Sequence, residues 1–118
     1  VHNENADQSI TGASGGAPTD DRVFALSETE SVIYLNTPAA RSDIGAAPVT
    51  EHAADGPLSV SEDGTADWWL RSPGTYGFAT QFVDASGTPS LSGANVDLQY
   101  GVRPALWIDV AGTGEGTR

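Results

Sequence analysis

The feature that most restricts this chain is a succession of short apolar segments across its second half, each closed by turn-forming residues. Trp68-Trp69-Leu70-Arg71 reads as a strand that ends at Ser72-Pro73-Gly74. Phe78 to Val83 alternates, with Phe78, Thr80 and Phe82 on one face. Asp84-Ala85-Ser86-Gly87 supplies a hairpin turn, with Gly87 available for positive φ. Val96, Leu98 and Tyr100 then alternate against Asn95, Asp97 and Gln99. Gly101 marks a bulge or a close backbone approach, and Val102 to Ile108 reads as the last strand. Pro104 has no amide donor, which restricts it to an edge or an irregular point in the ladder.

The first half is built differently. Val23-Phe24-Ala25-Leu26 is an apolar run of strand length. Ser27-Glu28-Thr29-Glu30 follows as a capping box, in which Ser27 caps a helix and Glu30 reaches back. Thr29, Val32 and Ile33 fall on one face of that helix, which runs to about Leu35 and stops at Asn36-Thr37-Pro38. Residues 37–66 are rich in Ala, Pro and Gly and predict irregular loops, with a strand near Leu58-Ser59-Val60. One short helix, five or six short strands and long loops make an α+β fold with a small antiparallel sheet. No internal repeat is visible.

Residues 1–19 are polar and carry only Val1 and Ile10 as sizeable apolar side chains, which predicts an extended arm or linker. Residues 111–118 repeat that style and predict an exit linker. A single domain over 20–110 is the expected organisation, suited to a chain with other domains in the same polypeptide. At 118 residues there is no room for two independently folded units.

Composition removes several function classes. Sixteen acidic residues face five Arg and no Lys, for a net charge of -11. Without a basic stripe to neutralise phosphates, nucleic acid is not an expected partner. No apolar run approaches the ~20 residues that span a bilayer, so membrane insertion is not expected. With no Cys, disulfides, thiolate metal sites and cysteine nucleophiles are excluded. A Cys-free chain suits passage through an oxidising compartment.

Three blocks stand in order: Asp21-Arg22-Val23-Phe24-Ala25-Leu26-Ser27, Trp68 to Gly74 (WWLRSPG), and Gly101 to Leu106 (GVRPAL). Together they resemble a bacterial domain family of unknown function, common in surface and secreted proteins, with a DKVFLLS…WWLRSPG…GVRPAL signature. Phe82-Val83-Asp84-Ala85-Ser86-Gly87 matches the hairpin between the last two blocks. The resemblance covers about residues 20–108 and makes Phe24, Arg71, Arg103 and Pro104 structural signature residues. By analogy of pattern it is similar to the C-type-lectin-like fold of formylglycine-generating enzymes and of variable receptor-binding proteins. The segment of W-x-x-S-x-x-R-x-W-L-N type that precedes these blocks in whole members has no counterpart. That implies a C-terminal portion of the full domain, or a reduced version of it.

Catalysis finds little support in the residues. The copper-binding cysteines of formylglycine-generating enzymes are missing. His2 and His52 read as exposed loop residues, too few for a histidine metal centre. No G-x-S-x-G motif accompanies His52, and no carboxylate pair is singled out by spacing. Asp63 and Asp67, in Ser61-Glu62-Asp63-Gly64-Thr65-Ala66-Asp67, are weak calcium candidates without the EF-hand spacing. No cofactor is expected. Arg71 and Arg103 sit within apolar strands and need carboxylate or carbonyl partners, for which Asp67, Asp97 and Asp109 are at hand. Adjacent strand residues face opposite sides, so one of Trp68 and Trp69 is core and the other is nearer the surface. The outward one, with Tyr76, Phe78 and Tyr100, is the expected ligand platform, and Gly74-Thr75-Tyr76-Gly77 is its rim. The expectation is a non-catalytic binding or display module of an extracellular or cell-surface bacterial protein that recognises a glycan or a protein. The alternatives are a structural spacer and a degenerate relative of formylglycine-generating-type enzymes.

Overall fold

The Asp84–Gly87 turn sets the register of the main sheet. The Asp84 carboxylate accepts from the backbone N–H groups of Ser86 (2.9 Å) and Thr88 (3.0 Å). Gly87, at φ +91°, donates to the Asp84 carbonyl at 2.9 Å. On either side of this turn, in a computed structural model that describes residues 1–3, 16–35 and 46–108, two strands pair antiparallel.

In chain order the described elements are β1 (His2–Asn3), β2 (Thr19–Asp20), α1 (Glu28–Leu35), β3 (Ala47–Pro48), α2 (Glu51–Ala54), β4 (Thr65–Ala66), β5 (Trp68–Pro73), β6 (Ala79–Val83) and β7 (Pro89–Asn95). Strands β5, β6 and β7 form an antiparallel sheet with β6 central, while β1–β2 and β3–β4 are separate antiparallel pairs. The fold is α+β with small antiparallel sheets, as the residue pattern predicts.

Alternate residues of β5 and β6 are buried: Trp68, Leu70 and Ser72 on one strand, Ala79, Gln81 and Val83 on the other. Trp68, Leu70 and Val83 form the core, with Leu26, Leu35 and Ala47 packed against it. Fully burying a side chain of this kind stabilises by about 1.5–3 kcal/mol.

Helix α1 begins as its capping box dictates. Glu30 N–H donates to Ser27 Oγ (3.1 Å), and Ser27 N–H donates to the Glu30 carboxylate (2.9 Å). Its orientation departs from the apolar pattern. Thr29, Val32 and Ile33 are exposed, and Glu28 and Ser31 are buried. The cause is a polar network reaching from the sheet. Glu28 N–H donates to Ser72 Oγ (2.9 Å), and Gln81 Nε2 donates to the Glu28 carboxylate (2.8 Å) and the Pro73 carbonyl (3.1 Å). Once buried, these groups must find each other, and that requirement turns the helix.

Four expected strands differ. Val23–Leu26 and Val102–Ile108 meet only at the antiparallel bridge Phe24↔Ala105, with reciprocal bonds of 3.0 and 2.8 Å. Pro104 interrupts any longer ladder. Val96–Tyr100 is not a strand, because hairpin registration from Gly87 places β7 on the more polar Pro89–Asn95. Leu58–Val60 is not a strand either, and residues 46–66 hold β3, α2 and β4. Within 1–19, His2 and Asn3 pair with Asp20 and Thr19, and Asn3 is buried, its amide donating to Asp21 at 2.8 Å. Residues 4–15 of that arm, the exit linker 111–118 and Asp109 lie outside the described residues.

Candidate functional site

The loop between β5 and β6 is held by two glycines that meet. A Cβ on Gly74 would lie 2.4 Å from the Ser92 carbonyl oxygen; one on Gly93, at φ +81°, would lie 2.5 Å from the Thr80 oxygen and 3.1 Å from the Gly74 Cα. Only glycine permits both the close approach and the left-handed backbone. The loop is then fastened by Thr75 N–H to the Ser92 carbonyl (3.0 Å), Gly74 N–H to the Ala79 carbonyl (2.9 Å) and Ala79 N–H to the Tyr76 carbonyl (2.9 Å).

Tyr76 and Phe78 project from this support. Their rings stack at 5.4 Å with an interplanar angle of 8°, and the residues are 62% and 59% exposed. Phe78, Asn95, Val96 and Asp97 line an open cleft of about 270 Å³, closed at its base by Val96 N–H to the Phe78 carbonyl (3.0 Å).

The other expected platform residues lie elsewhere. Trp68 is buried in the core and Trp69 is half-buried, as the alternation of a strand requires. Trp69 pairs across the sheet with Phe82, and Tyr100 completes the cluster, 4.5 Å from Trp69 and 4.7 Å from Phe82. Burial and the nearby Asp67 charge push the Tyr100 hydroxyl up from its ordinary pKa. Trp68, Trp69, Tyr76 and Tyr100 therefore do not make one platform. They divide between the core, a cross-strand cluster and the hairpin tip. Phe82 is absent from the sequence-based set, although a hairpin centred between Thr75 and Tyr76 places it opposite Trp69.

The two signature arginines also separate. Arg71 pairs with the Glu30 carboxylate, donates to the Ala25 carbonyl (2.8 Å) and lies 5.8 Å over the Phe24 ring. Burial alone would raise the Glu30 pKa; the Arg71 hydrogen bond and charge, with the Ser27 N–H, outweigh it and hold it below its ordinary value. Asp67, expected as an arginine partner, instead accepts from Ala85 N–H at 2.8 Å. The Arg103 guanidinium carbon lies 5.0 Å over the centre of the Trp68 ring. The sequence does not signal Glu30 as the partner of Arg71, because 41 residues separate them and capping alone accounts for a glutamate there.

Residues 101–107 run between two clefts. The first, about 290 Å³, lies between the β3–β4 pair with α2 and the Gly101–Pro104 segment, with Trp68 and Asp67 in its wall. The second, about 210 Å³, is lined by Phe24, Leu26, Glu30, Tyr34 and Ala105–Trp107, with Tyr34 and Trp107 edge to face at 5.8 Å.

Asp63 is exposed in the Ser61–Gly64 turn. Among the described residues no group of three or more His, Asp or Glu is arranged to hold a metal. His2 Nδ1 lies 2.9 Å from the Asp20 carboxylate, both residues exposed, and His52 is exposed on α2. No helix among the described residues is long and apolar enough to cross a membrane.

No curated protein and no solved structure matches this chain. The model of a domain of unknown function, DUF6273, matches residues 1–110, so the match takes in β1 and β2 as well as the main sheet. The chain belongs to the DUF6273 family.

Proposed function

We propose that this domain is a non-catalytic binding or display module of an extracellular or cell-surface protein, and that it holds a glycan at the Tyr76–Phe78 tip. The observation that carries this reading is the stacked, solvent-facing ring pair on a loop locked by Gly74 and Gly93. Rigid loops on a sheet are where binding residues concentrate, and exposed aromatic rings cost free energy that a ligand recovers. A pyranose offers an apolar C–H face to such a ring, while its hydroxyls need acceptors and donors beside it. Asn95 and Asp97 line the cleft next to Phe78 and supply both. A net charge of -11 favours neutral or cationic sugars over anionic ones.

A structural spacer has no use for exposed rings. Trp107, Tyr76 and Phe78 are each more than half exposed, which favours the binding reading.

The test is an immobilised panel of neutral, amino and acidic glycans, probed with calcium and again with a chelator. Binding to neutral or amino glycans, unaffected by the chelator, is expected. A Tyr76→Ala/Phe78→Ala variant should lose at least roughly tenfold in affinity, in line with removal of two stacking rings. Silence across the panel, or undiminished binding by the double variant, overturns the assignment. Calcium-dependent binding would point instead to Asp63 and Asp67 as ligands.

A further inference from the structure

We propose that the cleft lined by Phe24, Glu30, Tyr34 and Trp107 is a second binding site, which takes a small primary amine with a hydrocarbon body. It shares no lining residue with the cleft at the hairpin tip and does not depend on the glycan reading.

The walls call for a hydrocarbon body. Leu26, Ala105 and Leu106 add apolar surface to the rings, and the space of about 210 Å³ falls below the roughly 300–1,000 Å³ that pockets for drug-sized ligands occupy. The occupant is therefore small. Backbone fixes one side of the cleft, where Phe24 N–H donates to the Ala105 carbonyl (3.0 Å) and Ala105 N–H to the Phe24 carbonyl (2.8 Å). The capping box of α1 fixes the other, because its reciprocal bonds with Ser27 hold Glu30 in place.

Rings and a carboxylate give the cleft its preference for a cation. Tyr34 and Trp107 meet at 79°, so the two rings form a corner in which one group can touch both. Ring faces are electron-rich and attract an ammonium group. The Arg71 guanidinium already lies 5.8 Å from the centre of the Phe24 ring, which leaves the Tyr34–Trp107 corner for a ligand. Glu30 brings the acceptor. The Ser27 N–H (2.9 Å) and the Arg71 guanidinium both bond its Oε1, and neither bonds Oε2. A carboxylate has about four acceptor positions, so Oε2 can take an ammonium N–H in a charge-assisted bond. Although burial opposes it, the Arg71 and Ser27 interactions hold Glu30 below its ordinary pKa, and it is ionised at neutral pH. Arg71 offsets the Glu30 charge, so the further attraction for a cation comes from the ring faces and from the net charge of -11.

Isopentylamine is the probe, with isopentyl alcohol as its neutral counterpart, followed in the full chain by the amide shifts of Ala105 and Leu106 and the indole N–H shift of Trp107. Saturable shifts with the amine are expected, and the alcohol should bind at least roughly fivefold more weakly, since it lacks both the ring attraction and the charge-assisted bond. Trp107→Ala should weaken the amine by a similar factor. Leu106 is 56% exposed, so a charge placed there does not touch the core. At low salt, Leu106→Glu should bind the amine at least roughly fivefold more tightly than Leu106→Arg. Glu30→Gln keeps a side chain able to cap α1, removes the carboxylate and should weaken the amine. Absence of saturable shifts at millimolar amine, equal binding of the alcohol, equal binding by the two Leu106 variants, undiminished binding by Trp107→Ala or Glu30→Gln, or shifts centred instead on Phe78 and Val96 each overturns the proposal.

Discussion

At the scale of single residues, the Arg71–Glu30 pair has a consequence for acid stability. The Glu30 carboxyl is held below its ordinary value of 4.5 in the folded chain. As pH falls through that ordinary value, the unfolded chain takes up a proton that the folded chain still refuses. The stabilisation is thus fully present above about pH 5, declines on acidification, and is gone once the folded carboxyl is itself protonated. Glu30→Gln should flatten the pH dependence of the unfolding free energy below about pH 5, measured by urea denaturation across a pH series. A variant as acid-sensitive as the parent would remove Glu30 from the account. Asp21, held low by the Thr19 hydroxyl and then the Asn3 amide, contributes in the same direction and remains in the variant.

At the scale of elements, α1 separates what local chemistry decides from what tertiary chemistry decides. Its start is legible in the sequence, because Ser27 and Glu30 satisfy each other within one turn. So is the Asp84–Gly87 turn, and so are the opposed faces of Trp68 and Trp69. The inward face of α1 is not, because Ser72 and Gln81 reach Glu28 from 44 and 53 residues away. Strand β7 is obscured for a related reason: hairpin register, not hydrophobic alternation, selects Pro89–Asn95. The candidate site is half legible. Tyr76 lies at the exposed tip, whereas the grouping of Trp69 with Phe82 and Tyr100 needs the cross-strand register. Paired substitutions test the helix orientation by chemical denaturation. Ile33→Lys, at a residue 59% exposed, should change stability by no more than about 0.5 kcal/mol, whereas Ser27→Ala should cost about 1 kcal/mol. A large loss from Ile33→Lys would mean that the apolar face is covered.

At the scale of the whole molecule, a charge of -11 spread over 118 residues opposes compaction. Added salt shortens the reach of that repulsion, with a Debye length of about 10 Å at 0.1 M and about 3 Å at 1 M. Thermal unfolding at neutral pH should therefore shift upward with added sodium chloride, followed by circular dichroism. A midpoint that falls with salt would show that attractive pairs such as Arg71–Glu30 outweigh the net repulsion. The last described segment carries a different consequence. Its backbone is tied to the body by bridges in series, Gly101 to Trp68 and Ala105 to Phe24, the second made of two hydrogen bonds, and its Trp107 ring rests edge to face on Tyr34. A pull transmitted from beyond Ile108 loads the Ala105 bridge before it reaches the three-stranded sheet. Those two bonds would break in succession, as a zip opens, and the tryptophan-lined hollow beside Phe24 would gape while the hairpins stayed folded. Under mechanical load from that end, the Phe24–Ala105 bridge is the first backbone tie among the described residues to bear it.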